Sequence, residues 1–135
     1  MGKFYLVIMV SFKTAIENGF KKAFNFSDRA TRAEYWWWQL FVMLVNIAFM
    51  FVFGLLFSNS ECNGMPLMII PSSIWYILII IPNLSLFVRR LHDTGRSAWN
   101  LLWSLLPYVG AIILLVFTLQ KSAPDNEYGT NYENQ

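Results

Sequence analysis

Charge is what this chain has least of. Charged residues make up 13% of its 135 positions, while 56% are hydrophobic. A typical soluble domain is about 25% charged, so this chain cannot cover a globular surface with polar groups. Cysteine occurs once, at Cys62, which excludes an internal disulfide and a cysteine-based metal site. Histidine also occurs once, at His92. No Walker, Rossmann or zinc spacing is present, so neither a cofactor nor a metal is expected. The basic residues lie beside apolar runs and belt-like aromatics, which argues against nucleic acid as a partner.

What the chain has is apolar length. Three runs are long enough to cross a bilayer, at about 38–57, 66–88 and 99–119. The uninterrupted part of the first, Leu40–Phe57, is 18 residues, or about 27 Å of helix at 1.5 Å per residue. No Asp, Glu, Lys or Arg lies inside any of them, which weakens a proton-coupled transport reading. The fold class expected is an all-α membrane protein, a three-span helical bundle with an N-terminal amphipathic interfacial helix. The expected divisions are a cytoplasmic segment at 1–34, a membrane domain at 35–119 and a flexible polar tail at 120–135.

The first residues, MGKFYLVIMV, resemble the start of a secretory signal. Cleavage after Ala15 would put Lys13 where a small residue is needed, and Leu6 spoils a myristoylation pattern. Phe12, Ile16, Phe20 and Ala23 then share one helical face, with Lys13, Glu17, Asn18 and Lys21 on the other. This helix is too charged to span. It lies in the headgroup layer or packs on the protein's own spans; both bury the same face. Thr31 followed by Glu34 spells a capping box, and Ser27 is an earlier candidate cap. Tyr35-Trp36-Trp37-Trp38 reads as an interfacial aromatic belt. Pro71 and Pro82 bend the second run or divide it in two. Asn46, Asn83, Asn100 and Ser104 read as polar glue between helices.

Between the second and third runs lies a polar island, Arg89-Arg90-Leu91-His92-Asp93-Thr94-Gly95-Arg96-Ser97. Asp-Thr-Gly is turn chemistry, and Ser97 is placed to cap the next helix. The triplet also matches the aspartic-protease signature, but that site needs two such aspartates on β-loops. With three spans, nine of the ten Lys/Arg fall on one side and Lys121 on the other. The positive-inside rule then puts the N-terminus and the 89–98 loop in the cytoplasm and the tail outside, with Cys62 on the outer side.

Phe26-Ser27-Asp28-Arg29-Ala30-Thr31-Arg32-Ala33-Glu34-Tyr35-Trp36 and Val88-Arg89-Arg90-Leu91-His92-Asp93-Thr94-Gly95-Arg96-Ser97-Ala98-Trp99 resemble the two motifs of the bacterial family known as domain of unknown function 805. Pro107, Gly110 and Asn126-Glu127-Tyr128-Gly129 fit its last part. The likeness covers roughly 9–130, with Asp28 standing where the family usually has glycine. It implies a small multi-pass protein of the bacterial inner membrane and carries no activity with it. Family members tend to begin near the amphipathic helix, which makes Met9 a candidate start.

Two chemistries fit the polar island. Arg29, Arg32, Arg89, Arg90 and Arg96 gather at one expected boundary, where they serve as topology signals or hold an anion. Arginine forks bind phosphate oxygens bidentately, and Glu34 and Asp93 would orient them. The expected function is therefore a non-catalytic interaction or scaffold protein contacting membrane lipids through their anionic headgroups. An acidic protein partner, or a second copy of the chain, is the other candidate. The alternative is an enzyme or carrier acting on a phosphorylated lipid, with His92 and Asp93 as the acid–base pair. A third reading is a small oligomeric transporter using the kinked second run. On the structural side, Asp93 pairs with an arginine or caps the turn, and His92 is an interfacial side chain.

Overall fold

The computed structural model describes residues 10–57 and 65–130, and the side chains of these except at 57 and 65–68. The expectations about Met9 as a start, the 58–64 loop with Cys62, and the last five residues lie outside the described residues. The described chain is helical: α1 (Phe12–Lys21), α2 (Arg32–Phe57), α3 (Met65–Asp93), a 3-10 helix (Ala98–Leu105) and α4 (Val109–Leu119). Two helices are long and apolar enough to cross a membrane, over Arg32–Leu56 and Ile69–Asp93.

Helix α1 starts at Ser11, whose Oγ accepts from the Thr14 amide at 3.2 Å. Its polar face carries the exposed pairs Lys13–Glu17 and Lys21–Glu17, each worth a few tenths of a kcal/mol (roughly 0.2–0.5). Its other face is packed on α2. Ala15 and Gly19 are buried. Phe12 meets Trp37 edge-on at 5.8 Å, and Phe20 meets Trp38 at 5.1 Å. Gly19 is required by this contact, since a Cβ there would lie 2.2 Å from two atoms of the Trp38 ring.

Thr31 caps α2, its Oγ1 accepting from the Glu34 amide at 3.2 Å. The Glu34 side chain bonds Arg89 instead of closing the capping box. The aromatic quartet divides by helical phase. Tyr35 and Trp38, three residues apart, are buried, while Trp36 and Trp37 face outward. Tyr35 and Trp38 join Ala30, Val42, Ile79 and Leu86 in the core between α2 and α3.

Helix α3 runs unbroken through Pro71 and Pro82. Besides the Arg89–Glu34 pair, two bonds tie it to α2. Trp38 Nε1 donates to Asn83 Oδ1 at 2.8 Å, and Trp75 Nε1 donates to Asn46 Oδ1 at 3.3 Å. The helix continues past residue 88, so Arg89 and Arg90 belong to its last turns. It ends at a left-handed Gly95 with φ +75°. The Gly95 amide donates to the His92 carbonyl and the Arg96 amide to the Leu91 carbonyl, the paired bonds of a Schellman ending.

The expected third span is not one helix. It divides into the 3-10 helix and α4, joined through Leu106, Pro107 and Tyr108. Tyr108 has φ 64°, and Pro107 cannot donate to a continuing helix. The two arms lie against each other. A Cβ on Gly110 would sit 1.7 Å from the Trp103 carbonyl oxygen, so only glycine permits that approach. The residues flanking the two arms meet, with Arg96 Nη1 donating to Gln120 Oε1 at 2.5 Å. The stretch is therefore a hairpin, whose two ends meet beside the polar island. Residues 120–130 pack on that island. Ser122 is buried, and a turn closes at the Asn126–Gly129 bridge.

Candidate functional site

Three of the side chains singled out in the sequence, Arg29, Arg90 and Asp93, converge where α3 ends. Asp93 is the last residue of α3, and Arg90 sits three residues before it on the same face. Arg29 comes from the turn before α2. Its Nε donates to Asp93 Oδ1 at 3.0 Å. Its Nη2 donates to the carbonyls of Asp93 (3.1 Å) and Ala123 (2.6 Å). Its Nη1 donates to those of Pro124 (3.1 Å) and Gly129 (2.9 Å). These contacts use all five guanidinium donors.

Arg90 reaches the other oxygen of Asp93 through Nη1, which also approaches the Ala30 carbonyl at 3.4 Å. Its Nε donates to the Thr118 carbonyl at 3.1 Å, and its Nη2 to that of Gln120. Ser122 Oγ completes the set by donating to Asp93. Arg29, Arg90 and Asp93 are all buried. A buried charge is tolerated when paired and hydrogen-bonded. Here one carboxylate and seven backbone carbonyls supply the acceptors. The cluster thus joins five parts of the chain: the turn before α2, the end of α3, the end of α4, and two points of the tail.

Arg89 lies apart from that set. Its Nη1 donates to Glu34 Oε1 at 3.2 Å. Its Nε and Nη2 are buried without a partner. One turn earlier on α3, Ser85 Oγ lies 2.9 and 2.6 Å from the carbonyls of Lys22 and Asn25. Arg96 is half-buried, with its guanidinium carbon 3.9 Å above the Phe117 ring. Arg32 is exposed on the first turn of α2. The five arginines therefore do not form one open cation patch. Arg29 and Arg90 hold the fold together, and Glu34 and Asp93 are their ionic partners or that of Arg89.

His92 and Asp93 do not meet. The Asp93 carboxylate faces Arg29, Arg90 and Ser122. The His92 ring is stacked on Tyr128, with centroids 3.9 Å apart and planes 5° apart. The Asn126 side chain donates to the His92 carbonyl at 3.1 Å. Outside the membrane-crossing helices, the neighbouring Glu127 carboxylate pushes the Tyr128 phenol above its usual range. Asn46 and Ser72 line a groove of about 430 Å³ on the outer surface of α2 and α3, walled by Phe49, Phe53 and Trp75. Among the described residues, no group of three His, Cys, Asp or Glu is placed to hold a metal ion.

Comparison with known proteins places the chain in a family. The family described as "Protein of unknown function (DUF805)" matches residues 23–130. The chain belongs to the DUF805 family. The matched stretch holds every member of the cluster, from Arg29 to Tyr128. Within DUF805, the inner membrane protein YhaH of Escherichia coli K12 is 40% identical over 113 residues, covering 81% of this chain and 88% of the relative. The inner membrane protein YhaI of the same strain is 36% identical over 113 residues, covering 82% and 88%. No solved structure gives a significant match. This DUF805 chain is thus a bacterial-type helical membrane protein.

The sequence reading missed Ser122, Asn126, Tyr128 and the tail carbonyls. Asn126-Glu127-Tyr128-Gly129 carried the only signal, through the family resemblance. A backbone carbonyl leaves no trace in composition or spacing.

Proposed function

We propose that this protein is a non-catalytic interaction protein of the bacterial inner membrane that engages anionic phospholipid headgroups on its arginine-rich face. In this reading α2 and α3 cross the bilayer. The N-terminus and the turn after α3 lie in the cytoplasm, and α1 lies along the headgroup layer against α2. The arginines divide their work. Arg29 and Arg90, oriented by Asp93, hold the helix ends. Arg89 contacts the anion, while Arg32 and Arg96 add positive charge to the same face nearer the surface.

One observation carries the reading: Arg89 is fully buried, yet two of its three nitrogens have no partner. A buried donor left unsatisfied costs about 1–3 kcal/mol, and more when charged. A phosphate admitted to Nε and Nη2 by a parting of the side chains over Arg89 would remove that cost, because the guanidinium edge matches two phosphate oxygens. Lys22 adds a second cation. Its carbonyl is bound by Ser85 one turn before Arg89, and its ammonium is 3.3 Å from Asp28.

The test is native mass spectrometry of the detergent-extracted protein, wild type beside Arg89→Lys. Lysine keeps the charge opposite Glu34 but presents no fork. Phospholipid retained by wild type and lost from a folded, inserted Arg89→Lys variant is the expected result. Equal retention, or no retained phospholipid on wild type, refutes the headgroup site; an acidic protein would then be sought in its place.

A further inference from the structure

We infer that Ala98–Leu119 is a re-entrant hairpin, seated in the acyl chains of the leaflet on the arginine side, which returns the tail to the side it came from. Both feet of the hairpin are pinned to the same cluster. Arg96 precedes the first arm and bonds Gln120, which follows the second. Arg90 bonds the carbonyls of Thr118 and Gln120. Arg29, from the N-terminal side of α2, bonds the tail carbonyls beyond them. A stretch that crossed the membrane could not place residues 96 and 120 within one hydrogen bond of each other.

The arms match in length. The 3-10 helix has eight residues, about 16 Å at 2.0 Å per residue. Helix α4 has 11, about 16 Å at 1.5 Å per residue. Each is about half of a 30 Å hydrocarbon core, so the tip reaches the middle of the bilayer. The surface is largely apolar, with Ser104 exposed and Asn100 half-buried as its polar interruptions. Trp99 at the foot is 78% exposed, Leu105 74% and Tyr108 at the tip 84%. No Asp, Glu, Lys or Arg interrupts 97–120. Acyl chains are the cover consistent with such a surface, which continues the exposed apolar faces of α2 and α3.

Irregular backbone is tolerated at membrane depth when its polar groups are satisfied. The tip meets most of that demand by itself. The amides of Leu106, Val109 and Gly110 donate to the carbonyls of Trp103, Pro107 and Leu106 at 2.8–3.0 Å, and Pro107 has no N–H. The distribution of basic residues agrees independently. Lys121 joins the others, so all ten Lys/Arg fall on one side where a third crossing leaves nine.

The experiment places single cysteines in the full-length protein in a Cys62→Ser background. Lys13→Cys, Lys121→Cys and Tyr108→Cys are each treated with a membrane-impermeant maleimide, in intact cells and in inverted vesicles. Lys13 and Lys121 are exposed, so their replacement leaves the packing intact. The hairpin requires that Lys13→Cys and Lys121→Cys react from the same side. It also requires that Tyr108→Cys react from neither side until detergent dissolves the membrane. Reaction of Lys13→Cys and Lys121→Cys from opposite sides overturns it, as does reaction of Tyr108→Cys from either side. The outcome does not depend on whether Arg89 binds a headgroup.

Discussion

Replacing Asp93 with asparagine removes one negative charge from between two buried guanidinium groups. The side chain keeps its size, and the Schellman ending at Gly95 uses only backbone bonds, so α3 should still end where it does. What changes is the counter-charge for Arg29, at 3.0 Å, and for Arg90. Removing one partner of a buried ion pair costs about 3–5 kcal/mol, because the remaining charge stays desolvated. Arg29 retains its carbonyl acceptors and Arg90 keeps those of Thr118 and Gln120. The loss should therefore fall at the lower end, about 3 kcal/mol. The assay is reversible unfolding in mixed micelles as the mole fraction of dodecyl sulfate rises, with proteolysis of the tail as a second readout. Tail cleavage should rise with destabilisation, since the asparagine amide offers one acceptor oxygen where the carboxylate offered two, so either Arg29 or the Arg90–Ser122 side is left facing an N–H donor. A double-mutant cycle with Arg29→Gln isolates the pair. The two losses should be less than additive by more than about 1 kcal/mol, as expected for groups in one network. A loss below about 1 kcal/mol for Asp93→Asn, the range of a solvated surface pair, would refute the account, as would strict additivity.

Two further outcomes follow from the packing. Gly19→Ala drives a Cβ into the Trp38 ring and should lower stability by about 1–3 kcal/mol, seen as a lower melting temperature in detergent; an unchanged melt would mean that α1 does not rest on α2. Trp38→Phe strips the donor from Asn83 Oδ1 and should cost about 1–3 kcal/mol, while Trp38→Phe with Asn83→Leu should recover most of it, since both polar partners are then gone; equal loss in the two variants would show that the ring volume, not the hydrogen bond, matters.

Local chemistry was readable from the residues. Ser27 does not cap α2, but Thr31 does, and Gly95 takes the positive φ that its Asp-Thr-Gly context implied. Asn46 and Asn83 join α2 to α3, as polar residues in apolar helices tend to. Long-range pairing was hidden. Arg29 and Asp93 are 64 residues apart, and nothing in either neighbourhood says which arginine will be buried with which carboxylate. Asp93 pairs with arginines, as the structural reading of the island expects, and its side chain diverges from His92 because adjacent residues on a helix do not share a face. Composition presents the aromatic quartet as one belt, although a helix must send Tyr35 and Trp38 one way and Trp36 and Trp37 another. The run 99–119 has the same hydropathy whether it crosses or folds back. Pro107 and Gly110 marked a bend, but the close approach of Gly110 to the Trp103 carbonyl is visible only in three dimensions.

The grip of Arg29 on the tail also has a consequence for biosynthesis. Its Nη1 acceptor at Gly129 is 100 residues further along the chain. At roughly 5–20 residues per second, the ribosome delivers that acceptor some 5–20 seconds after Arg29 itself has been made. Until then α2 and α3 can enter the bilayer and find each other through their tryptophans and asparagines. The guanidinium that will join the polar ends stays in water meanwhile. Full closure waits for residues 123–129, so a chain truncated before residue 123 would insert with its helices paired and Arg29 held by Asp93 alone. Such a chain would leave to water the Arg29 donors that Ala123, Pro124 and Gly129 otherwise cover, and so offer quality-control proteases a polar edge that the closed protein conceals.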